Sequence, residues 1–157
     1  MQYTLMDLLK REHIQVGVEA TTAQEAIQKV SDPLVISGHV SAEFAEDVWQ
    51  REQTFPTGLP TQPLAVAIPH ADPDHVFRSA VAIGLLKAPV PFAQMGSNGS
   101  TLLDTRIIFL LAIKEREKQV EMIRQLMTLI QTPALLEGLA EAKDAEEVEH
   151  LIRTIFK

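Results

Sequence analysis

Five histidines, at positions 13, 39, 70, 75 and 150, carry most of the nucleophilic potential of this sequence, because it has no cysteine. That absence excludes a disulfide framework, a thiol nucleophile and a thiolate metal site, and fits a reducing compartment. Only His70 sits in a context that favours reaction. It follows the apolar run Ala65-Val66-Ala67-Ile68 and then Pro69, where a strand leaves a sheet and a loop begins. Ligands of open α/β sheets bind just outside strand ends. Pro69 restricts Ile68 and has no amide hydrogen, so it fixes the chain's exit. A neutral imidazole there is a competent nucleophile near neutral pH. From spacing alone, an ordinary strand-end histidine with a satisfied hydrogen bond is the favoured reading of His70. No Gly-x-Ser-x-Gly elbow occurs, so a serine-hydrolase reading is excluded.

Other side chains join as candidates. His70-Ala71-Asp72-Pro73-Asp74-His75 holds two histidines and two aspartates, a possible metal cluster and hence a metal-dependent hydrolase. Pro73 and the lack of an i,i+4 histidine pair argue instead for a solvated turn, with no metal and no cofactor. Arg51 suits the last turn of a helix and is also the residue type that grips a phosphate bidentately. Thr57 and Thr61 offer loop hydroxyls to the same anion. A helix beginning near Gln119 would aim free amides at an anion, with Glu115–Lys118 before it read as a solvated turn. His13, His39 and His150 are scattered singly and read as surface or capping residues.

The elements that must position these groups follow from periodicity. Leu5–Lys10 reads as a short helix, and Ile14, Val16 and Val18 alternate as a strand does. Thr22 and Glu25 form a capping-box signal before a helix that Pro33 interrupts, so that it stops near Ser31 or restarts after it. Ser41 caps the next helix, with Phe44, Val48 and Trp49 on its apolar face and Arg51 in its last turn. Phe55–Pro63, with three prolines and a glycine, is a loop. Leu64–Ile68, Val81–Leu86 and Ile107–Ile113 read as strands covered on both faces, and Gly96–Ser100 as a polar connector. Val120, Ile123, Leu126, Met127 and Ile130 keep the helical period. Thr132-Pro133 and Asp144 with Glu147 open two further helices. The alternation predicts an α/β three-layer sandwich with a mixed, mostly parallel sheet. It is read as one domain over residues 1–157, and the absence of a linker-like tail at either end favours a stand-alone chain.

Composition narrows the class. The net charge is −7 and aromatics make up 5% of residues, with no basic stripe, which disfavours a nucleic-acid partner. An acidic surface suits a basic patch on a protein partner. No apolar run reaches the roughly 18 residues of a membrane span, and the N-terminus does not read as a signal peptide. The expected address is therefore the cytoplasm, without membrane insertion.

One longer pattern is recognisable: Arg51-Glu52-Gln53-Thr54-Phe55-Pro56-Thr57-Gly58, then Ala65-Val66-Ala67-Ile68-Pro69-His70-Ala71. It resembles the enzyme IIA domains of the fructose/mannitol (type 2) class of the bacterial sugar phosphotransferase system. The Phe-Pro-Thr-Gly element and the longer loop before the histidine look nearest to the galactitol-type branch. The resemblance covers nearly the whole chain. It implies that His70 accepts a phosphoryl group on Nε2 from the histidine phosphocarrier HPr. It implies delivery to a cysteine or histidine of a cognate enzyme IIB, with a membrane enzyme IIC downstream, and a monomeric carrier. Arg51 would then be the phosphate-stabilising arginine. Two positions depart from the pattern. Gln62-Pro63 stands where many members have Leu-Gly, and Gln119 where mannitol-type members have a second histidine. A glutamine can hydrogen-bond a phosphate but supplies no positive charge. A regulatory relay of the nitrogen-related enzyme IIA type is the alternative within the family. Phe55, Leu59 and Phe77 are read either as core or as apolar contacts for a partner.

Overall fold

The computed structural model describes residues 4–155. In chain order the elements are α1 (Leu5–Leu8), β1 (Leu9–Val18), α2 (Ala23–Ile36), α3 (Phe44–Thr54), β2 (Gly58–Leu59), β3 (Ala65–Ala67), β4 (Ala80–Ala93), β5 (Leu102–Ala112), α4 (Arg116–Ile130), α5 (Pro133–Ala140) and α6 (Ala145–Ile155), with a 3₁₀ turn at Pro73–His75. One sheet runs in the order β1-β4-β5-β3-β2. β1–β4 and β3–β5 pair parallel, while β4–β5 and β2–β3 pair antiparallel. The α/β sandwich and mixed sheet are as expected, but the pairings divide evenly rather than running mostly parallel.

The sheet is buried on both sides, and period-2 alternation sorts its residues. Val66, Ile68, Val81, Ile83, Leu85, Ile107, Phe109 and Leu111 face α1, α4, α5 and α6. Ala67, Ala80, Ala82, Leu86, Ile108, Leu110 and Ala112 face α2 and α3. The second face carries more small residues, so α2 lies close to it. A Cβ on Gly84 would stand 2.4 Å from Val30 Cγ2, so only glycine fits beneath that helix.

Several boundaries move from their sequence-based positions. α1 stops at Leu8 because Leu9 pairs with Val81 in the sheet. α2 does not stop near Ser31 but runs through Pro33 to Ile36. The proline leaves the Lys29 carbonyl without its helical donor, and the side-chain amide of Gln15 on β1 donates to it at 2.8 Å. Thr22 accepts from the Glu25 amide, while Glu25 reaches back to the amide of Thr21 rather than Thr22. α3 starts at Phe44, with Ser41 accepting from the Glu43 amide one turn earlier. The Phe55–Pro63 loop contains the two-residue strand β2. α4 begins at Arg116, so Glu115–Lys118 is its first turn and not a separate one, and Val120 lies exposed on its outer face. No helix among the described residues is long and apolar enough to cross a membrane.

Candidate active site

His70 is placed by backbone first. β3 continues beyond Ala67 along β5: the Leu111 amide donates to the Pro69 carbonyl at 3.1 Å, and His70 itself bridges Leu111. The imidazole is 7% exposed. Its Nδ1 lies 2.8 Å from the Ile68 carbonyl oxygen. A carbonyl only accepts, so Nδ1 carries the proton and Nε2 keeps a bare lone pair. Burial lowers the pKa of His70, and the Arg51 charge adds to that, against the opposing pulls of the Ile68 carbonyl bond and of Asp72. The ring is therefore held neutral, with one nitrogen committed and the other available.

Arg51 comes from the last turn of α3. Its guanidinium carbon lies 5.0 Å from the centre of the Phe55 ring, a stacking arrangement that fixes the group while leaving its donors open. Its Nε is buried without a hydrogen-bond partner, and such a donor normally finds one. Beside it opens a groove of about 210 Å³ lined by Asp47, Gln50, Arg51, Ala71, Asp72 and Asp74. Arg116 at the start of α4 holds Asp72 at 3.2 Å, which ties that helix to the loop leaving His70. Gln119, the fourth residue of α4, has a buried Oε1 with no partner.

The two threonines are occupied otherwise than the sequence suggested. Thr57 is 3% exposed and gives its hydroxyl proton to Glu52 Oε1 at 2.9 Å. Thr61 gives its own to the Leu64 carbonyl at 2.7 Å. Neither has a hydroxyl proton left for an anion. Glu52, buried beside Arg51, has its pKa raised to about 7 by burial, against the hydrogen bonds from Thr57. Nothing in its sequence context as an apparent solvated helix residue signals that burial; the clue is Thr57 five residues on, within reach of a carboxylate as the chain turns back.

The metal-cluster reading of the His70–His75 segment is overturned. Asp72 is drawn to Arg116 and His75 Nδ1 to Asp47, so the four side chains do not converge. Among the described residues no group of three histidines, aspartates or glutamates is arranged to hold a metal. His13 and His39 are not surface residues either. They are 0% and 5% exposed, stand edge-to-face at 4.8 Å between ring centres, and share the Ser37 hydroxyl. They are 26 positions apart, so no local pattern joins them. His150 is exposed on α6.

A neutral histidine at a sheet end, beside an arginine with an unpaired donor, is an arrangement chemically able to carry an anionic group on imidazole. The comparisons make the class specific. The chain belongs to the phosphoenolpyruvate-dependent sugar phosphotransferase system, EIIA 2 family, whose model matches residues 7–155; members of this family are phosphotransferase components. The chain is 29% identical over 150 residues to Multiphosphoryl transfer protein 1 of Escherichia coli K12, covering 94% of this chain but only 17% of that protein. It therefore spans less than a fifth of that relative's length. It is 21% identical to the galactitol-specific EIIA component of the same organism over 91% of this chain and 94% of that one. Among solved structures it is similar to the complex of enzyme IIAMTL and phosphorylated enzyme IIBMTL from Escherichia coli. The TM-score is 0.75 and the identity 25%, covering 94% of this chain and 99% of that one.

Proposed function

We propose that residues 1–157 act as one monomeric, cytoplasmic phosphocarrier of a galactitol-like sugar phosphotransferase system. The observation that carries this reading is the His70 Nδ1–Ile68 carbonyl bond, which leaves Nε2 bare beside Arg51. Nε2 attacks the phosphorus held on the histidine of phospho-HPr. The new N–P bond forms as the donor's N–P bond breaks, and the donor imidazole leaves with that electron pair. No proton need leave His70, because its attacking nitrogen carries none. Nδ1–H stays on the Ile68 carbonyl throughout and stabilises the positive charge that the ring acquires.

Arg51 supplies charge to the phosphoryl oxygens, and its unpaired Nε is a donor in waiting. Phosphoryl transfer rests on positioning and charge stabilisation, so this set suffices without a further covalent group. Gln119 offers its amide from α4, as a neutral contact. In release to enzyme IIB the His70 N–P bond breaks and its electron pair returns to Nε2 as the acceptor's bond to phosphorus forms, with a membrane enzyme IIC downstream. Phe55 and Phe77, 59% and 55% exposed, and the half-buried Leu59 give both partners an apolar rim, as transient contacts require.

The test is intact-mass analysis after incubation with phosphoenolpyruvate, enzyme I and HPr. Wild type should gain one acid-labile phosphoryl group and His70→Gln none. A wild type that gains nothing, beside an active control enzyme IIA, overturns the reading.

A further inference from the structure

The Ile68 carbonyl decides which nitrogen of His70 is free, and its orientation is itself held from both sides. Downstream, the Pro69 carbonyl is anchored by the Leu111 amide, backbone to backbone. Pro69 has no N–H, so the 68–69 peptide offers no donor of its own to the sheet. Upstream, β2 pairs with β3 only through Gly58↔Ala67 and Leu59↔Val66. The ladder ends there, and the next amide, that of Ile68, donates instead to the hydroxyl of Thr57 at 3.2 Å.

An amide can only donate, so Thr57 Oγ1 accepts that bond and must point its own proton elsewhere. It points to Glu52 Oε1 at 2.9 Å, while the Thr57 amide donates to Glu52 Oε2 at 2.8 Å. The carboxylate thus fixes both the position of Thr57 and the direction of its hydroxyl. All three residues are buried, at 5%, 3% and 0% exposure for Glu52, Thr57 and Ile68. Gly58 keeps the loop in place, because a Cβ there would stand 2.6 Å from the Ala93 carbonyl oxygen. These two anchors flank the peptide that carries the Ile68 carbonyl, one on the 67–68 peptide and one on the 69–70 peptide, and only the first rests on side chains.

We infer that Glu52 and Thr57 are positioning residues for phosphoryl transfer: their hydrogen-bond chain through Ile68 fixes the carbonyl that holds the proton on His70 Nδ1. The inference rests on the reading of His70 as phosphoryl acceptor. Its consequence is specific. Loosening the chain lets the proton move to Nε2, which then has no lone pair to attack with, while the docking surface for the donor protein is untouched.

The experiment uses the full chain labelled with ¹⁵N on histidine, as wild type, Thr57→Val, Thr57→Ser and Glu52→Gln. Thr57→Val keeps the shape and removes the hydroxyl; Thr57→Ser keeps the hydroxyl. In Glu52→Gln an amide NH₂ replaces one acceptor, so either the Thr57 amide or its hydroxyl proton loses its partner. Melting by circular dichroism checks folding. Long-range ¹H–¹⁵N spectra read the His70 tautomer without any phosphoryl donor. Single-turnover transfer from phospho-HPr, at increasing concentration, separates the maximal rate from half-saturation.

Wild type should hold the Nδ1–H tautomer. Thr57→Val should show a mixture, with the maximal rate down roughly tenfold and half-saturation within twofold. Glu52→Gln should move both in the same direction by less, and Thr57→Ser should restore wild-type behaviour. Folded Thr57→Val with wild-type tautomer and rate overturns the inference, as does an effect confined to half-saturation. If Thr57→Val does not fold, Glu52→Gln decides by the same two readouts. If wild type accepts no phosphoryl group while Thr57→Val shifts the tautomer, the carrier reading fails and the positioning role of the chain stands.

Discussion

His70 and His13 are both buried, and desolvation is the chief cause that lowers the pKa of each, yet only His70 has the arrangement that the proposed carrier role needs. His13 is fully enclosed in β1, its Nε2 sharing the hydroxyl of Ser37 at 2.9 Å and its Nδ1 sealed without a partner. His70 spends Nδ1 on a backbone carbonyl and keeps Nε2 at the end of the sheet. The surrounding charge differs too. His70 has Arg51, whose Nε lacks a partner. Around His13 and His39 the charges of Lys10 and Arg78 are opposed by Glu12, and Arg78 donates to the Ser37 carbonyl at 3.0 Å. Burial alone therefore does not make a nucleophile. The proposed role of His70 needs more: one nitrogen committed to an acceptor, the other left without one, and a cation near enough to act on the ring.

The largest expected effect separates the two histidines outright. His70→Gln should abolish phosphoryl incorporation, whereas His13→Asn should leave incorporation per folded molecule unchanged, both measured by intact mass. Loss of incorporation in folded His13→Asn would break the comparison.

The second prediction sets acid against base in the stability profile. Glu52 has a folded pKa of about 7 against 4.5 unfolded, so the folded state binds its proton more tightly. Its stabilising contribution is complete below pH 4.5 and is lost as pH rises through 7. The pKa difference bounds it at about 3 kcal/mol. His13 and His39 are shifted downward, so the unfolded chain takes up their protons first and stability falls as pH drops below 6.5. Urea titrations across this range should show Glu52→Gln flattening the neutral limb and His13→Asn the acid limb. The same slope in Glu52→Gln as in wild type would exclude this role for the carboxyl.

Arg51→Ala should slow transfer from phospho-HPr about 100-fold, the usual cost of removing a charge-stabilising donor. Arg51→Lys should recover only part, because an ammonium lacks the planar fork. Stopped-flow transfer rates check both. The smallest effect tests the packing beneath the site: Gly84→Ala forces α2 off the sheet and should cost about 2 kcal/mol in equilibrium unfolding, with transfer per folded molecule preserved.

Much of this was legible because local signals agree with the tertiary result. The apolar runs around Ala67, Ile83 and Ile108 are strands buried on both faces, and β3 closes just before Pro69, whose carbonyl carries the pairing with β5 on to His70. Arg51 does lie in the last turn of α3. The rest depended on partners distant in sequence. Pro33 passes through α2 only because Gln15 satisfies the carbonyl it frees. His13 and His39 meet through Ser37, which no spacing announces. Thr57 looks like a solvated loop hydroxyl until Glu52 folds inward to receive it. Val120 fits the helical period of α4 yet is 73% exposed, because Met122, Leu126 and Leu129 define the buried stripe.

The central claim is that the Ile68 carbonyl selects Nε2 of His70 as the reacting nitrogen. It is tested most directly by ¹⁵N spectra of the phosphorylated protein, read for the nitrogen that couples to phosphorus. Coupling at Nε2, with Nδ1 still protonated, is the predicted result. Coupling at Nδ1 would contradict the account, because the bond to Ile68 would then have to break before the chemistry begins.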